Sequence, residues 1–157
     1  MKRYITTPIY YVNDVPHLGH AYTTVAGDVL ARYFRLKGDE VKFLTGTDEH
    51  GQKVADSAAK AGMTPKEFVE KNSAEFQHTF EELGVQFDAD TIFMRTPNQE
   101  HAPAVNAFMK KLDDAGALEE GEYEGLYCKG CEDFKTDKEL VDGLCPIHKS
   151  KPELLKE

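Results

Sequence analysis

Residues 4–20, YITTPIYYVNDVPHLGH, change period partway along. Up to Val12 the segment is rich in β-branched and aromatic residues, which suit a pleated, buried surface, and it reads as a strand over residues 4–12. Asn13, Asp14 and Pro16 break that strand. From Leu18 onward the apolar residues fall at Leu18, Tyr22, Val25, Val29, Tyr33 and Leu36, the spacing of one helix face, and Gly38 supplies a C-terminal cap. A second strand is expected over residues 41–44, running into Gly46-Thr47-Asp48-Glu49-His50-Gly51. Strand, helix and strand in this order make a βαβ unit, which implies a parallel pair joined by a right-handed crossover.

The same signals continue downstream. A helix is expected over residues 52–61. Thr64-Pro65-Lys66-Glu67 combines a capping box with proline at the first helical position, and the helix it opens has Phe68, Val69, Phe76, Phe80 and Leu83 on its apolar face. Residues 91–94 read as a third strand. Thr96-Pro97-Asn98-Gln99 repeats the capping signal and predicts a helix through Val105, Phe108, Met109 and Leu112 to Gly116. The fold class is therefore α/β, a Rossmann-like parallel-sheet half-domain over residues 1–116. From 117 to 157 the texture changes to short strand-like and turn-like pieces around cysteines, as in GEYEGLYCKGCEDF, and a separate module is expected there.

Composition narrows the function. A chain of 157 residues with 30% charged and 40% hydrophobic residues has the balance of a globular protein with one core and room for a small appendage. Its net charge of −9 argues against coating DNA or RNA non-specifically, yet leaves open a local RNA-binding patch. No stretch approaches the length of a membrane span, and the first residues lack the small-residue cleavage site of a signal peptide. Three clustered cysteines, an odd number, fit a reducing compartment and place the protein in the cytoplasm.

Two places carry chemistry. His17-Leu18-Gly19-His20 lies where the first parallel strand gives way to its helix, the position at which open α/β sheets bind ligands. Imidazoles three residues apart can donate together to a phosphate whose charge rearranges during displacement, at a helix end whose dipole favours anions. Gly19, lacking a side chain, lets the flat base of a nucleotide approach the backbone. The competing reading is a pair of surface histidines opening an ordinary helix. Asp48, at the carboxyl end of the second strand, offers a fixed carboxylate to an ammonium group; the alternative is a cap on the next helix. Ile9 and Tyr11 offer apolar, polarisable surface, and Tyr11 also fits a plain core aromatic. His50 reads as a turn histidine.

The second place is Cys128-x-x-Cys131 followed by Cys145-x-x-His148. Two-residue spacing lets both members of a pair reach one ion, and thiolates with an imidazole favour tetrahedral zinc. Four filled positions make a closed structural site. The competing readings are free thiols beside a chance histidine, or a redox Cys-x-x-Cys pair.

Thr7-Pro8-Ile9-Tyr10-Tyr11-Val12-Asn13, then His17 to His20, then Thr45 to Gly51, resemble in order and spacing the methionyl-tRNA synthetases, and His17 to His20 resembles a signature tetrapeptide of the class I aminoacyl-tRNA synthetases. The resemblance covers essentially the whole chain, with the knuckle in place as in the bacterial single-knuckle variety. It implies ATP-dependent activation of methionine, with magnesium accompanying ATP, and transfer to tRNA(Met). It implies that His17 and His20 stabilise the α-phosphate, that Ile9 and Tyr11 line the methionine pocket, and that Asp48 pairs with the substrate ammonium. It also implies that residues 117–157 begin a connective insertion holding one structural zinc.

The family's second catalytic half, with its Lys-Met-Ser-Lys-Ser loop, and its anticodon-recognising domain have no counterpart in residues 1–157. The isolated piece is accordingly expected to be weakly active or inactive. Two alternatives stand beside this reading: another nucleotidyltransferase with the His-x-Gly-His pattern, and a synthetase-derived module that binds without turnover.

Overall fold

Three strands, β1 (Lys2–Tyr11), β2 (Glu40–Asp48) and β3 (Thr91–Arg95), pair in parallel in the order β1-β2-β3. The computed structural model describes residues 1–157 and divides into two units, Met1–Val105 and Asn106–Glu157. In the first unit α1 (Leu18–Leu36) crosses from β1 to β2, and α2 (Gln52–Lys60) and α3 (Pro65–Glu82) lead from β2 to β3. This is the α/β, Rossmann-like arrangement expected from the alternation of periods.

The core lies where the sheet meets α3. Phe43 of β2 and Phe76 and Phe80 of α3 are fully buried, with Val12 and Val54 beside them. Truncating either α3 phenylalanine to alanine removes about 3–5 kcal/mol of stability. The capping box of α3 forms as its sequence predicts: the Glu67 amide donates to Thr64 Oγ1 at 3.3 Å, and Glu67 Oε2 accepts from the Thr64 amide at 3.0 Å.

Three expectations change. First, β2 runs on to Asp48, because Thr45 and Thr47 are buried and continue the ladder against β3. Gly46 permits this: a Cβ there would lie 1.9 Å from the Met94 carbonyl oxygen. Second, the apolar stripe of α1 faces away from the sheet. Leu18, Tyr22, Val29, Tyr33 and Leu36 are exposed, and the buried positions are Thr24, Asp28 and Ala31. Third, Thr96-Pro97-Asn98-Gln99 does not open a helix. The Thr96 hydroxyl is taken by the Glu49 amide at 3.0 Å, and α4 (His101–Asp114) starts later, after a turn in which the His101 amide donates to the Asn98 carbonyl.

The second unit is built on β4 (Glu124–Cys128), β5 (Asp133–Lys135) and β6 (Glu153–Lys156), an antiparallel sheet in the order β5-β4-β6. Phe134 packs edge-on against Tyr123 and Tyr127, a small aromatic cluster in place of a large core. Neither unit contains a helix long and apolar enough to cross a membrane.

Candidate active site and metal knuckle

His17 is the N-cap of α1 and stands just outside the helix, while His20 is its third residue. Their imidazoles form a capping box of an unusual kind. Nδ1 of His17 accepts the Gly19 amide at 3.1 Å, and Nδ1 of His20 accepts the His17 amide at 3.1 Å. The amides at this helix end are thus partly consumed by the histidines themselves. Because each Nδ1 serves as acceptor, the neutral ring carries its proton on Nε2, so two N–H donors remain. The rings stack with centroids 3.7 Å apart. Gly19 is required by this packing, since a Cβ there would sit 2.9 Å from His17 Cε1.

His20 is also wedged against buried aromatic rings, Tyr10 at 4.7 Å and Phe76 at 4.9 Å between centroids. Its pKa is lowered, first by burial and then by repulsion from His17, so the neutral form is favoured. Tyr10 in turn shares a 3.0 Å hydrogen bond with buried Thr24 of α1. Sequence reasoning passed over Tyr10 in favour of its neighbours; its burial and its contact with His20 make it the floor of the site.

Ile9, Tyr11, His17 and His20 line one cleft of about 520 Å³, together with Pro8 and Asn13. Asp48 lies opposite Tyr11 in the parallel register of β1 and β2 and is half-buried. It does not cap α2, whose N-cap is Gly51 with no side-chain hydrogen bond. His50 is exposed. Next to Asp48, the buried Glu49 accepts a two-pronged ion pair from Arg95, Nε at 2.6 Å and Nη2 at 2.7 Å. The Arg95 guanidinium is held charged above its ordinary value, first by those hydrogen bonds.

In the second unit, one ligand atom from each of Cys128, Cys131, Cys145 and His148 lies within 4.8 Å of all the others. The Cys131 and Cys145 sulfurs are 3.5 Å apart, and His148 Nδ1 is 3.3 Å from Cys131 Sγ and 3.8 Å from Cys145 Sγ. Two thiolates on one tetrahedral zinc, each about 2.3 Å from the ion, stand about 3.8 Å apart. A disulfide needs about 2.05 Å, and all three cysteines are free thiols. The donor set and its spacing therefore fit zinc.

The two pairs are built alike. The Glu132 amide donates to the Cys128 carbonyl and the Lys149 amide to the Cys145 carbonyl, both at 2.8 Å, and Glu132 and Lys149 share a φ of 54°. A Cβ on Gly130 would meet the His148 ring at 2.5 Å, so only glycine admits the imidazole at that spot. The Cys131 amide, bonded to Cys128, pulls that thiol down to about 6. Burial, then the neighbouring Cys145 and Cys128 sulfurs, push Cys131 up to about 11. The clustered thiols titrate as a set, and a dication bound among them would favour the thiolate form of each.

The family described as tRNA synthetases class I (M) matches residues 3–154. The methionine–tRNA ligase of Streptomyces coelicolor is 48% identical over 163 residues, covering 98% of this chain and 30% of its own length. That of Campylobacter jejuni is 48% identical over 156 residues, covering 99% of this chain and 24% of its own. The solved Mycobacterium tuberculosis methionyl-tRNA synthetase in complex with methionyl-adenylate superposes with a TM-score of 0.90 at 40% identity, over 100% of this chain and 31% of that one. The chain thus spans about a third or less of the relatives it matches. With its parallel sheet, its paired histidines at the first strand-to-helix turn and its cysteine–histidine knuckle, the chain belongs to the methionyl class I tRNA synthetases.

Proposed function

We infer that the protein carrying this chain activates methionine with ATP in the cytoplasm, forming methionyl-adenylate, and passes the methionyl group to tRNA(Met). The observation that carries this reading is the stacked histidine pair, with both Nε2–H groups uncommitted to capping, at a cleft shared with Ile9 and Tyr11. In the reaction a methionine carboxylate oxygen bonds to the α-phosphorus as the bond to pyrophosphate breaks. His17 and His20 donate to the α-phosphate oxygens, whose charge is redistributed in that displacement, and the capping hydrogen bonds hold both rings in place beforehand. Gly19 keeps the backbone low beside the nucleotide, Ile9 and Tyr11 take the thioether side chain, and Asp48 takes the ammonium. Magnesium accompanies ATP and screens its phosphates.

Residues 1–116 serve as the first half of the catalytic domain and 117–157 as the start of its connective insertion. Cys128, Cys131, Cys145 and His148 hold one zinc, which closes the knuckle and leaves no position open for substrate. The chain matches 30% and 24% of the lengths of two relatives, and we assign the remainder of the catalytic site, including a pyrophosphate-binding loop, to the part that it does not match.

The test is methionine-dependent exchange of pyrophosphate into ATP by the full-length protein, followed by charging of tRNA(Met). Exchange with methionine and with no other amino acid is the expected result. Exchange that proceeds without any amino acid would favour a different nucleotidyl transfer, and binding of methionine without exchange would favour a non-enzymatic module.

A further inference from the structure

Glu49 is a carboxylate whose side chain is only 1% exposed, and burying such a charge is costly unless every lone pair finds a partner. Here three hydrogen bonds and the Arg95 charge compensate the burial. Oε1 accepts from Arg95 Nε at 2.6 Å and from Thr47 Oγ1 at 2.8 Å, while Oε2 accepts from Arg95 Nη2 at 2.7 Å. The Glu49 amide is tied to Thr96 Oγ1, and Thr47 Oγ1 reaches Ser73 of α3 at 2.9 Å. Thr47 and Arg95 are also register partners in the sheet. The carboxyl end of β2 is therefore fastened to the end of β3 and to α3 from both sides of Asp48.

The Thr47 hydroxyl donates to Glu49 Oε1, so those two side chains share one side, while Asp48, the last residue of β2, alternates with Thr47 and points to the other. The fastened residues thus set the direction in which Asp48 presents its carboxylate. The geometry points to the Glu49–Arg95 pair as a positioning element: it fixes Asp48 for the ammonium group of an amino-acid substrate. This rests on the reading of Asp48 given above. Arg95 has a second effect. It neutralises Glu49, so the substrate ammonium meets Asp48 alone and the buried carboxylate next to it does not compete.

The experiment uses the full-length protein and two ligands, methionine and its analogue lacking the amino group. Arg95→Met removes the fork, the pair Glu49→Gln with Arg95→Met also removes the stranded buried charge, and Arg95→Met is repeated on an Asp48→Asn background. The expected result for Arg95→Met is a rise of about tenfold in the methionine KM with the ATP KM little changed. The preference for methionine over the analogue should fall by the same factor. The double variant, free of an unpaired buried charge, should show the same loss. On the Asp48→Asn background Arg95→Met should add nothing, because its effect passes through Asp48.

A full additional penalty on that background, or equal damage to both substrates, overturns the proposal and leaves the pair a purely structural tie. Recovery of the preference in the double variant also overturns it, since a stray charge and not a lost fastening was then at fault. If the unaltered protein shows no preference for the amino group, the reading of Asp48 itself falls, an outcome separable from the others.

Discussion

The two histidine-bearing sites of this chain are held together by opposite means. At the first, every constraint comes from the polypeptide: His17 and His20 accept backbone amides, stack on each other, and His20 leans on Tyr10 and Phe76. At the second, Cys128, Cys131, Cys145 and His148 bring one ligand atom each to within 4.8 Å of all the others, a cluster of donors that suits an ion at its centre. Donor groups crowded without a counter-charge raise the energy of the folded state, and an ion is what lowers it. On the proposed reading the first site is prepared before its ligand arrives, and the second depends on a metal for its shape. Catalytic groups profit from the former, since fixed donors need no reorganisation during reaction, and a small module with little core profits from the latter.

Metal removal should break this contrast with the largest effect. Structural zinc contributes on the order of 10–16 kcal/mol of apparent binding free energy to sites of this kind. Stripping the metal with a strong chelator, or changing Cys145→Ser, should make residues after about 117 susceptible to limited proteolysis while residues 1–105 stay resistant. The resistance of the first unit follows from its own core of Phe43, Phe76 and Phe80. Elemental analysis should find one zinc per chain before treatment. Protein that is free of metal as purified yet protease-resistant throughout would remove the distinction between the two sites.

The second way to sharpen the contrast acts on the prepared site. His20→Ala deletes an Nε2–H donor and the acceptor for the His17 amide together. Removing one preorganised donor of a developing charge lowers turnover by about 10² to 10³. The turnover number in pyrophosphate exchange should therefore drop by that order while the methionine KM changes little. A loss carried by KM, with turnover preserved, would mean that the histidine binds the ground state and is no transition-state donor. Asp48→Asn should show the complementary pattern, a higher methionine KM, because an ammonium contact already exists before reaction.

What the sequence could show differs for each site in physical terms. The cysteine pairs are legible because the chemistry depends on local spacing, and three or four residues carry it. Gly130 and the left-handed Glu132 and Lys149 are not, since their need arises only once the loop closes on His148. The His17–His20 motif is legible as a motif, but the mutual capping is not, because imidazole is an uncommon cap and the capping rules point to Ser, Thr, Asp and Asn. The face of α3 follows from its period at Phe68, Val69, Phe76 and Phe80, although Leu83, expected on the same face, is the exposed C-cap; that of α1 does not follow. Hydrophobic spacing announced α1 as a helix, yet its stripe of Leu18, Tyr22, Val29, Tyr33 and Leu36 looks outward and Thr24, Asp28 and Ala31 meet the sheet. Periodicity reports that a face exists without naming what it packs against. The Glu49–Arg95 pair joins residues 46 apart in the chain, brought together by the parallel register of β2 and β3, which no local pattern encodes.

The smallest expected effect concerns acid, and it bears on whether the first site is held by its own hydrogen bonds. The His20 pKa lies below the ordinary imidazole value of 6.5, chiefly through burial and secondarily through His17. In the unfolded chain this imidazole takes up its proton near 6.5, while in the folded chain it resists until lower pH. Between those two values the unfolded state binds more protons, so stability falls as pH falls, and the loss is complete below the folded pKa. Protonation also puts a hydrogen on Nδ1, which can then no longer accept the His17 amide, so the capping box opens as pH falls through the folded value, at the lower edge of that window. A second loss should follow at lower pH. Glu67, whose pKa is lowered first by the Thr64 hydroxyl and then by its amide, stabilises α3 above 4.5 and ceases to do so as pH drops further. Denaturant midpoints measured from pH 7.5 down to about 2.5 should therefore decline in two stages. In His20→Asn the upper stage should vanish, since the amide side chain accepts and donates without titrating, while the lower stage remains. An upper stage that persists in His20→Asn would assign it to another group, and the histidine cap would then be a bystander to the acid response.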